Sequence, residues 1–475
     1  MADLDPRRLF ARLAAVGAMI ASLAADSRRC APGVAFFAYP GEKADGRTHV
    51  GDAIGRGAAA VLWEQDGFAW RDAWRVPNAP VRGLRQEAGR LAHEFYGRPS
   101  EALWTCGITG TNGKTSCSHW LAALLGEQGV KTGLIGTLGA GFHGALSGAL
   151  NTTPDALEVH RLLKAMRDEG AGAAAMEVSS HGLVQGRVNG VRFACALFTN
   201  LSHDHLDYHG SMQAYAEAKT RLFETAGLGA AVVNIDDPVG ATIAARTGVR
   251  TITYGFSDKA DLRAAAVRGS KVQISSKWGT SEVTIGAVGR FNIANALGVL
   301  GCLIVYGIPF KDALPLLARL PAVPGRMERV ADAPLVVIDY AHTPDALEKV
   351  LAALRPAAQE RGGKLAVVFG AGGDRDATKR PAMGAVATRL ADRVLATSDN
   401  PRSEDPAEIL RQIGVAESEV DRARAIERVV FEAAAKDVVL IAGKGHETYQ
   451  EIAGKRLPFS DTEVARAAVA KRGKT

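Results

Sequence analysis

The stretch CGITGTNGKTS, residues 106–116, carries more structural information than any other in the chain. It follows a short apolar run, residues 103–108, that reads as a strand, and precedes an apolar-periodic run, residues 119–125, that reads as a helix. Between them Gly110, Thr111, Asn112 and Gly113 form a tight loop. A strand, a glycine loop and a helix N-terminus together make an anion site, because free backbone N–H groups and the positive end of the helix dipole point at one place. Lys114 has the reach for β- and γ-phosphates, and the Thr115 hydroxyl suits Mg²⁺. The common phosphate-loop spacing wants a glycine five residues before Gly113, where this chain has Ile108. The reading is therefore a nucleotide-phosphate loop of uncommon spacing.

Outward from that loop, short apolar strands alternate with helical stretches. Residues 1–98 mix short strands, among them 33–38 and 58–64, with helices. A second segment runs from 99 to 322. A third, 323–475, repeats the alternation with strands at 335–339, 364–370, 393–398 and 437–443. Such alternation predicts an α/β protein of three domains with mostly parallel sheets and helices on both faces. Ligands gather at the carboxyl ends of the strands in such folds. Six polar clusters follow predicted strands, including Glu177, Ser179 and His181 after one, and Asn200, His203, Asp204, His205 and Asp207 after another. Their placement predicts a cleft between two α/β domains.

Composition narrows the function classes. Of 475 residues, 57 are basic and 51 acidic, a net charge of +6 that is mild for this length, and no dense basic run is present. A small anionic substrate fits better than nucleic acid. The five cysteines, Cys30, Cys106, Cys117, Cys195 and Cys302, show no CxxC spacing, so neither disulfides nor zinc is expected. The apolar run at 13–25 is too short to span a membrane, and the chain is expected to be a cytoplasmic monomer. A guanine-nucleotide signature is missing, and in GAGGDRD Arg375 stands where a dinucleotide fingerprint wants its last glycine.

The clusters TGTNGKTS, NTTPDA, MEVSSHGL, TNLSHDHLDYHG, AKTRLF, GRFNIANALG, PGRME, DYAHTPDAL, GAGGDRD, SDNPR and GKGHE, in this order, resemble the Mur ligase family, the ATP-dependent ligases of peptidoglycan precursor synthesis. DSRRCAPGVAFFA, residues 26–38, is similar to that family's nucleotide-sugar domain. The resemblance implies an N-terminal UDP-sugar domain (1–98), a central ATP-binding domain (99–322) and a C-terminal Rossmann-like amino-acid domain (323–475). It implies that ATP phosphorylates a carboxylate of a UDP-muramoyl dipeptide and that an amine then attacks the acyl phosphate. ATP contacts are implied for Gly110, Thr111, Asn112, Gly113, Lys114, Thr115, Ser116, Asn292, Asn295, Arg326, Asp339 and His342. Thr115, Glu177, His205 and Lys219 are the implied Mg²⁺ set, with Lys219 carrying a CO₂-derived carbamate. Lys114, Lys219 and His205 are the implied catalytic residues. The muramoyl substrate is assigned to Ser27, Asn151, Thr152, Thr153, Ser179, Gln185 and Arg187, with the loop 42–44 in support. The DNPR motif marks the members that add meso-diaminopimelate, through Arg375, Asp399, Asn400, Pro401, Arg402, Gly443 and Glu447. Pro344 suits the first turn of a helix, Asn292 is suited to cap one, and a hinge is expected at 322–325.

Overall fold

The computed structural model describes residues 5–42, 44–148, 151–286 and 289–472; Lys43, in the loop 42–44, lies outside them. Three large sheets in succession, and a two-stranded ribbon of Tyr449–Ile452 with Lys455–Pro458, organise the described residues. The first has four parallel strands in sequential order, Ser22–Ala24, Val34–Ala38, Ala60–Glu64 and Asn78–Val81. Val34–Ala38 is buried along its whole length, the continuous apolar pattern of a strand covered on both faces. The helix Leu84–Phe95 packs Leu84, Ala88 and Leu91 against this sheet.

The second sheet has eleven strands. Its centre is parallel and places Cys195–Phe198, Trp104–Thr109, Ala173–Glu177 and Thr132–Gly136 side by side. The helices Lys114–Glu127 and Arg290–Tyr306 close one face around Leu121, Leu125, Leu297 and Leu300. The helix Ala156–Asp168 and the turn Arg221–Glu224 close the other around Leu163, Met166 and Leu222. Antiparallel wings extend both edges: Lys271–Ser276 with Gly279–Thr284, and Gly139–Phe142 with Ala145–Ser147. Alternation of strand and helix did not foretell these wings, because hairpins have a short local period and no helix between strands.

The third sheet orders Glu328–Asp332, Leu335–Asp339, Val438–Ala442, Leu365–Phe369, Arg393–Thr397 and Ser418–Glu419. All but the first are parallel. Helix Pro344–Glu360 starts with Pro344 at its first position and Thr343 as its cap, the Thr343 Oγ1 accepting from Ala346 N at 3.3 Å. The carboxyl ends of the second and third sheets face one cavity of about 600 Å³. Among the described residues, no helix is long and apolar enough to cross a membrane.

Candidate active site

The phosphate loop is held by backbone geometry that only glycine tolerates at two points. Gly110 has φ +147°, and a β-carbon there would lie 1.9 Å from Thr199 Oγ1. Gly113 has φ +90°, and its β-carbon would lie 2.5 Å from Asn295 Oδ1. The next strand end pins the loop: Thr111 N donates to Asn200 O at 2.8 Å, and Asn112 N to Asn200 Oδ1 at 3.0 Å. No side chain caps the helix Lys114–Glu127. Its first-turn N–H groups therefore face the cavity at the positive end of the dipole. Asn292, Asn295, Arg326, Asp339 and His342 line the same cavity with the loop. The N-cap of the helix Arg290–Tyr306 is Gly289, so Asn292 stands inside the first turn and not at the capping position.

Glu177 ends its strand only 1% exposed, not as a solvated loop acid. Its Oε2 accepts from Thr115 Oγ1 at 3.0 Å and from Thr137 Oγ1 at 3.0 Å, and its Oε1 from Thr137 N at 2.9 Å. Arg326 Nη2 donates to Thr115 Oγ1 at 3.2 Å, so a residue of the third segment already touches the loop. Asn112 Nδ2 reaches Asp345 Oδ2 at 3.3 Å across the same cleft.

Two lysines converge on one carbonyl. Lys114 Nζ donates to Gly110 O at 2.8 Å and to Thr111 O at 2.9 Å, and Lys219 Nζ donates to Gly110 O at 2.8 Å. Periodicity alone reads Lys219 as a surface residue of the helix Met212–Thr220, yet it is 1% exposed, over the Tyr215 ring. Burial, and then the charge of Lys114, push its pKa well below the ordinary lysine value. Burial also lowers that of Lys114, where the carboxylate of Glu177 opposes the shift.

His205 sits at φ +54°, its Nε2 3.3 Å from Asp204 Oδ2, and His342 Nε2 lies 4.0 Å from that same oxygen. The surrounding protein desolvates the His205 ring and holds its pKa below the ordinary imidazole value although the side chain keeps 44% of its exposure, which favours the neutral form a metal ligand needs. The hydroxyl of Thr115 and the carboxylate of Glu177 already meet, giving the convergent oxygen donors a hard cation requires, so the residues fit Mg²⁺. Among the described residues, the one group of three or more His, Cys, Asp or Glu side chains compact enough to hold an ion unaided is elsewhere. It is Cys106, Cys195 and Cys302, buried in the core with Cys302 Sγ 3.9 Å from each of the other two sulfurs. All five cysteines are free, and this juxtaposition across two strands and a helix leaves no trace in sequence spacing.

Beside Glu177 runs a chain of polar contacts. Thr153 Oγ1 donates to Glu177 O at 2.8 Å and Ser179 N to Thr153 Oγ1 at 3.0 Å. Arg187 spans Thr153 O (2.7 Å) and Gln185 Oε1 (2.8 Å), and Thr152 Oγ1 lies 3.0 Å from Thr137 Oγ1. Gln185 Nε2 continues to the Tyr208 hydroxyl at 3.3 Å, which donates to Glu42 Oε1 at 2.7 Å in the first segment. Tyr208 is a link that sequence reading missed, although it stands inside the quoted TNLSHDHLDYHG. Asn151 is exposed at the start of this run. Ser27 opens the turn Ser27–Arg29, whose Arg29 Nη2 reaches Glu158 Oε2 of the central segment at 3.0 Å.

The third segment gathers its predicted residues at three strand ends. Arg402 has φ +53°; its N donates to Glu451 O at 2.9 Å and its Nη1 to Gly373 O at 2.6 Å. A β-carbon on Gly372 would lie 3.0 Å from Arg402 Nη1 and 3.8 Å from Arg375 Cγ, so the two arginines flank one point. Asn400 Nδ2 donates to Glu447 Oε2 at 2.8 Å. Asp399 and Pro401 are buried beside Asn400, and Gly443 N donates to Asp339 O at 3.1 Å, joining this region to the cleft.

Three family models match successive parts of the chain. They are "Mur ligase family, catalytic domain" over residues 19–96, "Mur ligase middle domain" over 108–303 and "Mur ligase, glutamate ligase domain" over 325–445. A curated protein of Chromobacterium violaceum, named UDP-N-acetylmuramoyl-L-alanyl-D-glutamate–2,6-diaminopimelate ligase, is 51% identical over 491 aligned positions, covering 99% of this chain and 98% of its own. One of Pseudomonas aeruginosa with the same name is 48% identical over 95% of each chain. A solved structure of a ligase of that name matches with a TM-score of 0.68 at 36% identity, covering 96% of both chains. The MurF ligase of Thermotoga maritima in complex with ADP shares the fold, with a TM-score of 0.67 at 18% identity over 96% of this chain and 99% of that one.

Proposed function

The chain belongs to the Mur ligase family, and from that premise we propose that it joins meso-2,6-diaminopimelate to the D-glutamyl carboxylate of UDP-N-acetylmuramoyl-L-Ala-D-Glu, converting ATP to ADP and phosphate. The observation that carries the choice of amino acid is that Arg402 Nη1 and Arg375 Cγ both border Gly372, on the loops that follow two neighbouring strands, while Asn400, two residues before Arg402, donates to the Glu447 carboxylate. Diaminopimelate differs from lysine by a carboxylate at its far end. A guanidinium holds a carboxylate through two parallel hydrogen bonds, and Glu447 complements the distal ammonium.

In the first step a substrate carboxylate oxygen takes the γ-phosphoryl group and ADP departs. In the second, the amine nitrogen attacks the acyl carbon, phosphate leaves, and the nitrogen loses a proton. The first step brings two anions together, so the site must concentrate positive charge. Lys114 and the uncapped first turn of Lys114–Glu127 supply it on the phosphate side, and Arg326 beside Thr115 adds a guanidinium from the third domain. Thr115, Glu177, His205 and a carbamylated Lys219 would hold Mg²⁺, which, when bound, neutralises phosphate oxygens. Asn292 and Asn295 contact the adenine, and Asp339 and His342 the nucleotide from the other wall, a reading supported by their lining one cavity with the phosphate loop.

Thr152, Thr153, Ser179, Gln185 and Arg187, with Asn151 at their start, hold the peptidyl sugar. The first domain (1–98), through Ser27 and the loop at Glu42, holds the uridine nucleotide, the central domain (99–322) ATP and the third (323–475) the amino acid. Closure turns on residues 322–325. The enzyme acts as a monomer in the cytoplasm. The test is phosphate release from ATP. It should require the muramoyl dipeptide and diaminopimelate together; release of equal rate without either would overturn the proposal.

A further inference from the structure

We infer that Lys444 is the positioning residue of the amino-acid pocket, holding Glu447 and Asn400 in the one arrangement that leaves a carboxylate oxygen for the substrate ammonium. The inference rests on the proposed diaminopimelate site and extends it to a residue no motif role covers.

Lys444 is 0% exposed, at the bottom of the loop that follows the strand Val438–Ala442. Its Nζ donates to Glu447 Oε2 at 2.7 Å and to Asn400 Oδ1 at 2.9 Å. A lysine has donors only, so it fixes which end of the Asn400 amide faces it. The backbone agrees: Glu451 N also donates to Asn400 Oδ1, at 3.0 Å. With the oxygen so committed, Asn400 Nδ2 must turn the other way, and it donates to Glu447 Oε2 at 2.8 Å. One oxygen of Glu447 thus receives two strong donors. Among the described residues none donates to the other, Oε1, and the Glu447 side chain keeps 17% of its exposure.

Three consequences follow. The ion pair places Glu447 by a buried anchor instead of a flexible surface rotamer. It also ties the loop carrying Arg402 to the loop carrying Glu447, since Asn400 lies two residues before Arg402. The pair is neutral as a unit, so it adds no net charge to a pocket in which Arg402 Nε already has Glu451 Oε2 at 3.9 Å. A buried pair of this kind contributes little net stability but penalises loss of one partner, which suits a positioning role.

The experiment compares wild-type enzyme with Lys444→Met and Lys444→Arg. Incorporation of diaminopimelate by the wild type is measured first; its absence would sink the reading of the pocket, whatever Lys444 does. Given incorporation, Lys444→Met should raise KM for diaminopimelate about tenfold or more, the worth of a charge-assisted hydrogen bond. KM for ATP and for the muramoyl dipeptide should stay unchanged, and Lys444→Arg should recover part of the loss. In a Glu447→Gln background the same Lys444→Met change should have much less effect on KM, because the group it positions is already altered. A diaminopimelate KM within twofold of wild type, or equal rises in all three KM values, would overturn the inference. If Lys444→Met does not fold, Lys444→Gln, which removes the charge and keeps donors, is read the same way. Failure of both to fold would assign Lys444 a structural role and refute the positioning one.

Discussion

Replacing Lys219 with alanine tests the part of the site furthest from what a lysine ordinarily does. An exposed lysine at about pH 7.5 is neutral in only about one molecule in a thousand, and only the neutral amine attacks CO₂. Lys219 is buried, and its Nζ shares the oxygen of Gly110 with Lys114 Nζ, each at 2.8 Å. The two nitrogens are therefore no more than about 5.6 Å apart, twice that distance. Two cations at that separation repel by roughly 3 kcal/mol at an effective dielectric constant of about 20. Addition of the amine nitrogen to CO₂, with loss of a proton, makes Lys219 an anion and turns the repulsion into an attraction of similar size. Lys219→Ala forfeits that attraction, so turnover should fall about a hundredfold or more, at roughly 1.4 kcal/mol per decade, with partial rescue by formate or acetate. The direct assay is carbon NMR of enzyme equilibrated with isotopically labelled bicarbonate. A carbamate resonance should be present in the wild type and missing from Lys219→Ala. Fully active enzyme with no such resonance, or near-normal turnover by Lys219→Ala, would refute the reasoning.

Lys114→Ala should leave the fold intact by circular dichroism and cut kcat by about a hundredfold or more, the scale of losing one preorganised electrostatic group; near-normal ligation would remove Lys114 from the mechanism. Acid stability should depend on His160, which is fully buried and donates from Nε2 to Asn189 O at 2.9 Å. Burial pushes its pKa down to about 4, against about 6.5 in an unfolded chain. Between those values the unfolded state binds more protons, so stability rises with pH and is lost as pH falls from about 6.5 to about 4, by at most ~3 kcal/mol. Urea midpoints of His160→Gln should vary less with pH across that window than those of the wild type; equal slopes would contradict the assignment.

Much of the fold was legible because local chemistry and global topology agree. The loop at Gly110 and Gly113 announces a strand before it and a helix after it, and both are present as Trp104–Thr109 and Lys114–Glu127. Four of the six strands of the third sheet follow from apolar runs, each found within a residue or two of its expected ends; the edge strands Glu328–Asp332 and Ser418–Glu419 were not foreseen. The antiparallel wings were not legible, since hairpin edges carry neither a helix nor a continuous apolar run. At the site, strand-end position predicts that Glu177 faces the cleft, but not that Thr137 and Thr115 saturate it. Lys219 shows the limit most plainly. Helical periodicity makes it a solvent residue, and only the approach of the phosphate loop over the helix Met212–Thr220 buries it. Cys106, Cys195 and Cys302, and the pairing of Lys444 with Asn400, are likewise products of tertiary contact between segments distant in sequence.

Selection of the amino acid by its distal carboxylate sets this chain's proposed activity apart from transfer of lysine. The most direct measurement offers meso-diaminopimelate and lysine together, at equal concentration, to the enzyme with ATP and UDP-N-acetylmuramoyl-L-Ala-D-Glu, and weighs the product by mass spectrometry. A carboxylate held by arginine in a closed cleft discriminates by about 2–5 kcal/mol, counting the cost of leaving the arginine unpaired. The diaminopimelate tripeptide should therefore dominate by at least about thirtyfold. Equal amounts of the two products, or an excess of the lysine product, would contradict it.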